Sequence, residues 1–171
     1  MKNYTNQSVF IGIDVHKKTY SVTAICEGQT VKRDKMQACP LKLIAYCHKF
    51  FPGANIYSAY EAGFSGFGLH RALVNGGIQN IVVHAAAIEV AARDRVKTDK
   101  RDSLKIATQL STGRLRGIYV PTVERESFRS ITRLREKLVK DKTRIAVQIK
   151  GFLNLNSLID YKDEKKISRK Y

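Results

Sequence analysis

The sequence predicts an α/β domain built on a mixed sheet, in βββαβαβα order, followed by a long helical arm. Three observations carry this prediction. An apolar run rich in β-branched residues opens the chain and is followed at tight-turn spacing by two more strand-like segments. From residue 55 onward, short apolar strand patterns alternate with helical ones, which implies parallel pairing through right-handed crossovers. Beyond Pro121, apolar residues recur at helical spacing without a break signal until about Leu155.

Val9 to His16 (VFIGIDVH) has the pattern of a strand buried on both faces, with Asp14 near its end. Tyr20 to Cys26 and Gln29 to Met36 follow as strands, with Glu27-Gly28 as the turn between them. Pro40 suits a helix start, the apolar positions up to Phe51 share one helical face, and Pro52-Gly53 ends it. Asn55 to Tyr60 is a strand that sets Glu61 at its carboxyl end; Phe64 to Val74 reads as a helix, and Ile78 to Val83 as a further buried strand. A helix-compatible stretch from Ala85 to Ala92 leads into a polar segment. Asp99 to Leu110 then forms a helix with Asp99 and Asp102 on a shared face. Aromatic residues at Tyr57, Tyr60, Phe64 and Phe67 are expected to face inward. In the arm, Phe128, Ile131, Leu138, Ile145, Ile149 and Phe152 keep a three-four spacing broken by Arg135 and Lys142, the pattern of a coiled coil or helical hairpin. The expected domains are 1–117 and 118–160, with 161–171 a frayed tail or the place where a longer protein was cut.

At 171 residues the chain can bury one core and carry an appendage. Its charge is the unusual property: 31 Lys and Arg stand against 15 Asp and Glu, a net +16 that points to a polyanionic partner. Residues 1–96 hold 11 basic and 6 acidic groups (+5) and the remainder 20 and 9 (+11), so the excess is concentrated in the helical part. No run approaches the roughly 20 apolar residues of a bilayer span, the chain has no Trp, and the N-terminus lacks an apolar signal core, so no membrane role is expected. Cys26, Cys39 and Cys47 are odd in number without CxxC pairing, and are read as idle thiols although Cys39, Cys47 and His48 would supply part of a metal site.

The chemistry rests on four acids. Cleavage of a phosphodiester by two metal ions needs several carboxylates converging on hard divalent cations, which prefer oxygen ligands. Asp14 and Glu61 end strands, while Asp99 and Asp102 project from one side of a helix's first turn; together they suit Mg2+ or Mn2+. Singly, each has a structural alternative, since an acid after a strand can cap a turn and acids in a first helical turn complement the helix dipole. Arg93, Arg95, Lys97, Lys100 and Arg101 surround Asp99, and Lys17 and Lys18 follow Asp14; these would meet phosphates, or form solvated charged loops. Arg129 and Arg133 in the arm face the same choice between nucleic acid and an exposed coiled-coil surface. A Gly-x-Asp strand also opens sugar-kinase-like ATPases, but no later Gly-rich phosphate loop follows here.

Three motifs, Gly12-Ile-Asp14-Val-His-Lys17, Tyr60-Glu61-Ala-Gly63 and Lys97-Thr-Asp99-Lys-Arg-Asp102, resemble in order and spacing those of the DEDD insertion-sequence transposases, over roughly residues 8 to 155. That family includes the pilin-gene inverting recombinase. The resemblance implies an RNase H-like catalytic domain similar to the RuvC junction resolvases and an acidic tetrad of Asp14, Glu61, Asp99 and Asp102. It further implies a coiled-coil connection making a dimer or tetramer, a guide RNA beside the DNA, and a separate C-terminal serine domain that this chain does not reach. The expectation is the N-terminal catalytic portion of a Mg2+-dependent transposase or site-specific recombinase, cytoplasmic and nucleoid-associated in a bacterium or archaeon. The alternatives are a stand-alone Holliday-junction-resolvase-like nuclease and a non-catalytic nucleic-acid-binding and dimerisation module.

Overall fold

The structure, a computed structural model, describes residues 3–88 and 99–158, without the side chains of Asp99 and Lys100. Strands β1 (Ser8–Val15), β2 (Thr19–Cys26) and β3 (Gln29–Gln37) form an antiparallel meander, and β4 (Asn55–Glu61) and β5 (Gln79–Val83) join it in parallel. The strand order is β3-β2-β1-β4-β5. Helix α1 (Pro40–Phe50) connects β3 to β4, α2 (Gly68–Asn75) connects β4 to β5, and α3 (Asp99–Ser111) follows β5. A three-stranded meander extended by two parallel strands, with β1 at the centre, is the RNase H-like arrangement expected from the sequence.

Two local expectations change. The segment from Phe64 is not helical until Gly68, because Gly63, Gly66 at φ 59° and Gly68 favour a loop there, and Phe64 is 72% exposed instead of inward-facing. Tyr60 is fully buried, its hydroxyl donating to the Gly66 carbonyl at 3.0 Å and so tying down that loop. The stretch from Ala85 begins as a single 3-10 turn, Ala85–Ala87; the expected continuation to Ala92 lies outside the described residues.

Alternation along the strands divides the domain into two layers of contact. Val9, Ile11 and Ile13 of β1 point with Val22 and Ala24 of β2 into the larger core, which α1 fills with Leu43 and Cys47 and α2 with Leu69 and Leu73. Phe10, Gly12 and Asp14 occupy the opposite face, where a smaller core of Ala59, Val83, Ile106 and Leu115 sits beneath α3. Helix α3 lies on the backbone of β1: a Cβ at residue 12 would collide with the Ser103 carbonyl oxygen and the Ala107 amide nitrogen. Beside that contact the Thr23 and Ser103 hydroxyls bond each other at 2.9 Å, fully buried. After α3 the chain returns along β5, where the Ile118 amide donates to the Val82 carbonyl at 2.7 Å.

On the α1 side, Tyr46 donates its hydroxyl to Asp34 Oδ2 at 2.6 Å, and Lys32 Nζ lies 3.2 Å from the same oxygen. Burial and then the Asp34 carboxylate hold the Tyr46 phenol well above its usual range. Burial likewise pushes the Cys47 thiol up to about 12. Cys47 is a core side chain, and His48 turns its Nε2 to the Gly76 carbonyl at 2.9 Å.

The chain divides into two units, the second beginning at Pro121. Its helix α4 (Val123–Leu155) is capped by Thr122, whose hydroxyl accepts from the Arg125 amide at 3.3 Å, and carries Glu124 and Glu126 in its first turn. No side chain of α4 is buried.

Two outcomes follow from the packing. Gly12→Ala is expected to destabilise the domain by about 3 kcal/mol, the upper part of the overpacking range because the obstacle is backbone; urea denaturation measures it, and a loss below about 1 kcal/mol would show that α3 can lift off β1 freely. Raising the pH from about 9 to about 12 is expected to lower the melting temperature. The unfolded chain ionises Cys47 and Tyr46 at lower pH than the folded one, so the stability they contribute is complete below the unfolded pKa and fades as pH climbs to the folded value. Cys47→Ala should flatten that decline relative to its own neutral-pH baseline.

Candidate metal-binding carboxylates on the α3 face

Asp14 is the last-but-one residue of β1, two positions beyond Gly12 and therefore on the same, α3-bearing face. Its side chain is 19% exposed, and His16 Nε2 sits 2.9 Å from its Oδ2. The parallel register pairs Ile13 with Tyr60, and the next residues on the two strands are Asp14 and Glu61. Adjacent strands lie about 4.8 Å apart, so these two acids stand at neighbouring positions on one face at the carboxyl end of the sheet. Glu61, itself paired with Val83, is exposed.

Asp102 belongs to α3, the helix that covers this face. It directly precedes Ser103, which is fixed on Gly12 and Thr23, and lies one turn before Ile106, which packs against Ala59 and Val83. The first turn of α3 is thereby set on the sheet face that carries Asp14 and Glu61. Asp99 begins the same helix, its side chain outside the described residues. Among the described residues no three His, Cys, Asp or Glu side chains are drawn together closely enough to hold a metal ion. In kind, however, the donors fit a hard divalent cation: they are carboxylates, and Asp14 is held mostly out of water.

The sequence reading missed Ser21. It pairs with Asp14 across β1 and β2, is 3% exposed, and its Oγ has no hydrogen-bond partner among the described residues. Only the strand register exposes it, since a serine in an apolar strand carries no signal alone. Thr23 and Ser103 were missed for the same reason.

Of the basic positions, Lys17 and Lys18 are exposed in the turn between β1 and β2, at the Asp14 end of the strands; Arg101 is exposed on α3, and Arg129 and Arg133 on α4. Arg93, Arg95 and Lys97 lie outside the described residues, as does the side chain of Lys100.

With this geometry in view, the chain was compared with known proteins. The profile of the DEDD transposases typified by the insertion sequence IS110, described as a transposase, matches residues 11–156. The chain belongs to the DEDD transposase family. Within it, the transposase of insertion sequence element IS1533 from Leptospira borgpetersenii is 30% identical over 152 residues, covering 86% of this chain and 44% of that protein. A Sinorhizobium fredii protein named as a transposase, y4qE, is 34% identical over 99 residues, 58% of this chain and 25% of its own length. The chain thus spans less than half the length of these relatives. Among solved structures, Thermus thermophilus RuvC aligns with 64% of this chain and 99% of its own, at TM-score 0.47 and 12% identity.

The contact that sets α3 on the sheet can be tested by a double-mutant cycle. Thr23→Val or Ser103→Ala alone removes one half of this buried hydroxyl pair and is expected to cost about 1–3 kcal/mol. The double variant should cost less than the sum of the two, by about 1 kcal/mol of coupling, in urea denaturation. Strict additivity would mean that the hydroxyl pair does not hold α3 in place.

Proposed function

We propose that residues 1–117 are the metal-dependent, DNA-cleaving domain of this transposase, with Asp14, Glu61, Asp99 and Asp102 as its ligands for Mg2+ or Mn2+. The observation that carries the reading is the neighbouring placement of Asp14 and Glu61 on the α3 face, in a family member whose α3 starts with Asp99 and Asp102. A divalent pair held there would activate the attacking oxygen and stabilise the leaving one at a phosphodiester. The residues themselves do the rest. The carboxylates would hold the cation from a strand end and a helix start, and the Asp14 oxygen beside His16 is offered from a mostly dry position. Lys17, Lys18, Arg93, Arg95, Lys97, Lys100 and Arg101 would neutralise the phosphates that approach.

The finer reading extends to the whole protein. Strand cutting and rejoining needs the serine-bearing domain that the family resemblance implies, and a guide RNA enters on the same ground, supported here only by the +16 charge. Residues 118–160 serve as the oligomerisation arm, pairing with a second copy through the apolar side of α4, with Arg129 and Arg133 left for nucleic acid. This is favoured by Ile131, Leu134 and Leu138, which are 66%, 57% and 58% exposed along one stretch of that helix.

Titration of Mg2+ or Mn2+ into the chain, followed by calorimetry and melting temperature, tests the metal reading. At a hundredfold excess over Kd the metal should stabilise the fold by about 2.7 kcal/mol, a rise of several degrees. Asp14→Ala and Asp102→Ala should each abolish that rise while leaving the metal-free chain folded. A wild-type chain indifferent to both metals would overturn the cleavage reading and favour a nucleic-acid-binding module instead.

A further inference from the structure

The register carries one row of side chains across the whole meander at the level of Asp14. Asp14 pairs with Ser21, and Ser21 with Lys35; one step back, Gly12 pairs with Thr23, and Thr23 with Arg33. Arg33 and Lys35 therefore stand on the α3 face of β3, in line with the acids, and both are exposed. The acid between them, Asp34, points to the other face, where Tyr46 and Lys32 engage it. The strand thus places two cations toward the acid-bearing face and pairs its one acid with Lys32 on the other. As an edge strand, β3 leaves that basic side open to a long ligand.

We infer that Arg33 and Lys35 form a phosphate track for a DNA strand, carrying the flanking nucleotides across the edge of the sheet to the carboxylates at Asp14. With strands about 4.8 Å apart, the Lys35 backbone stands about 10 Å from that of Asp14. This offset suits a phosphate about one or two nucleotides from the one being cut, not that phosphate itself. Lys17 and Lys18 in the β1–β2 turn extend the same positive border around the end of the sheet. The acids alone would repel a polyanion, and a basic border confines the strand to the one approach that brings its phosphates to them. Lysines on an edge strand also guard against edge-to-edge aggregation, a role that predicts precipitation on their loss and no change in DNA affinity. The inference rests on the reading of Asp14 as part of a cleavage site, but DNA binding is measured without metal, so the two can fail separately.

Binding of a labelled DNA oligonucleotide, single-stranded and duplex, to the full chain is measured by anisotropy in EDTA across a salt series. Arg33→Ala/Lys35→Ala should weaken binding about tenfold at low salt. It should also reduce the slope of log affinity against log salt by roughly 1.4 for single strands or 1.8 for duplex, two phosphate contacts' worth. Arg33→Lys should restore that contact's share of the slope. Lys42→Ala/Lys49→Ala, on α1 at the opposite face, should change neither quantity. Unaltered affinity and slope in the first double variant would overturn the track, as would a wild-type chain that binds no DNA or that prefers an RNA oligonucleotide of the same sequence. The same variant is titrated with Mn2+ by calorimetry. Wild-type-like metal binding with a lost salt slope separates the track from the metal site, whereas metal indifference in both chains with the slope change intact removes the cleavage reading and keeps the track.

Discussion

Helix α3 can bring its acidic first turn to the sheet only because nothing projects from β1 at residue 12. The Ser103 carbonyl and the Ala107 amide occupy the space that any side chain there would need. The Thr23–Ser103 hydroxyl bond then fixes where along the strands the helix rests. Both constraints act on backbone or buried polar groups, which tolerate little adjustment. The Gly of the Gly-Ile-Asp motif therefore matters to the proposed site as much as the Asp, since it admits the helix to the face that carries Asp14.

The same alternation that seats α3 also sorts charge. Odd and even positions of β1, β2 and β3 separate a face packed on α1 and α2 from a face carrying Asp14, Ser21, Arg33 and Lys35. The α1 side accepts Asp34 only because Tyr46 and Lys32 meet it there. A one-residue slip of β3 would exchange Asp34 for its basic neighbours and turn an acid toward the other carboxylates. Register is thus an electrostatic constraint here as well as a packing one.

How much of this was legible follows from what kind of signal each feature leaves. The five strands, α1, α3 and α4 announce themselves through apolar period, Pro and Gly punctuation and length, and their order already implies the mixed sheet. The acids could be placed on element ends because strand ends are marked by the same punctuation. Phe64 and the start of α2 were misjudged because three glycines weigh more than the apolar pattern around them. Ser21, Thr23, Arg33 and Lys35 gave no warning because their meaning lies in which residue stands opposite, a long-range fact that local patterns do not encode.

Helix α4 poses a different energetic problem from the rest. A surface helix normally owes its stability to one face buried on a core, yet every side chain of α4 remains at least partly in water. Its cap at Thr122 and the two glutamates of its first turn contribute on the order of 1–2 kcal/mol, while Phe128, Ile131 and Phe152, each more than 60% exposed, keep apolar area in solvent. Covering such side chains is worth about 1.5–3 kcal/mol apiece, more than the cap supplies. The charges at Arg135 and Lys142, set among the apolar positions, make indiscriminate collapse costly and favour the partner and register that leave them hydrated. A helix built in this way is stable in company and marginal alone, which suits the oligomerisation arm proposed for residues 118–160.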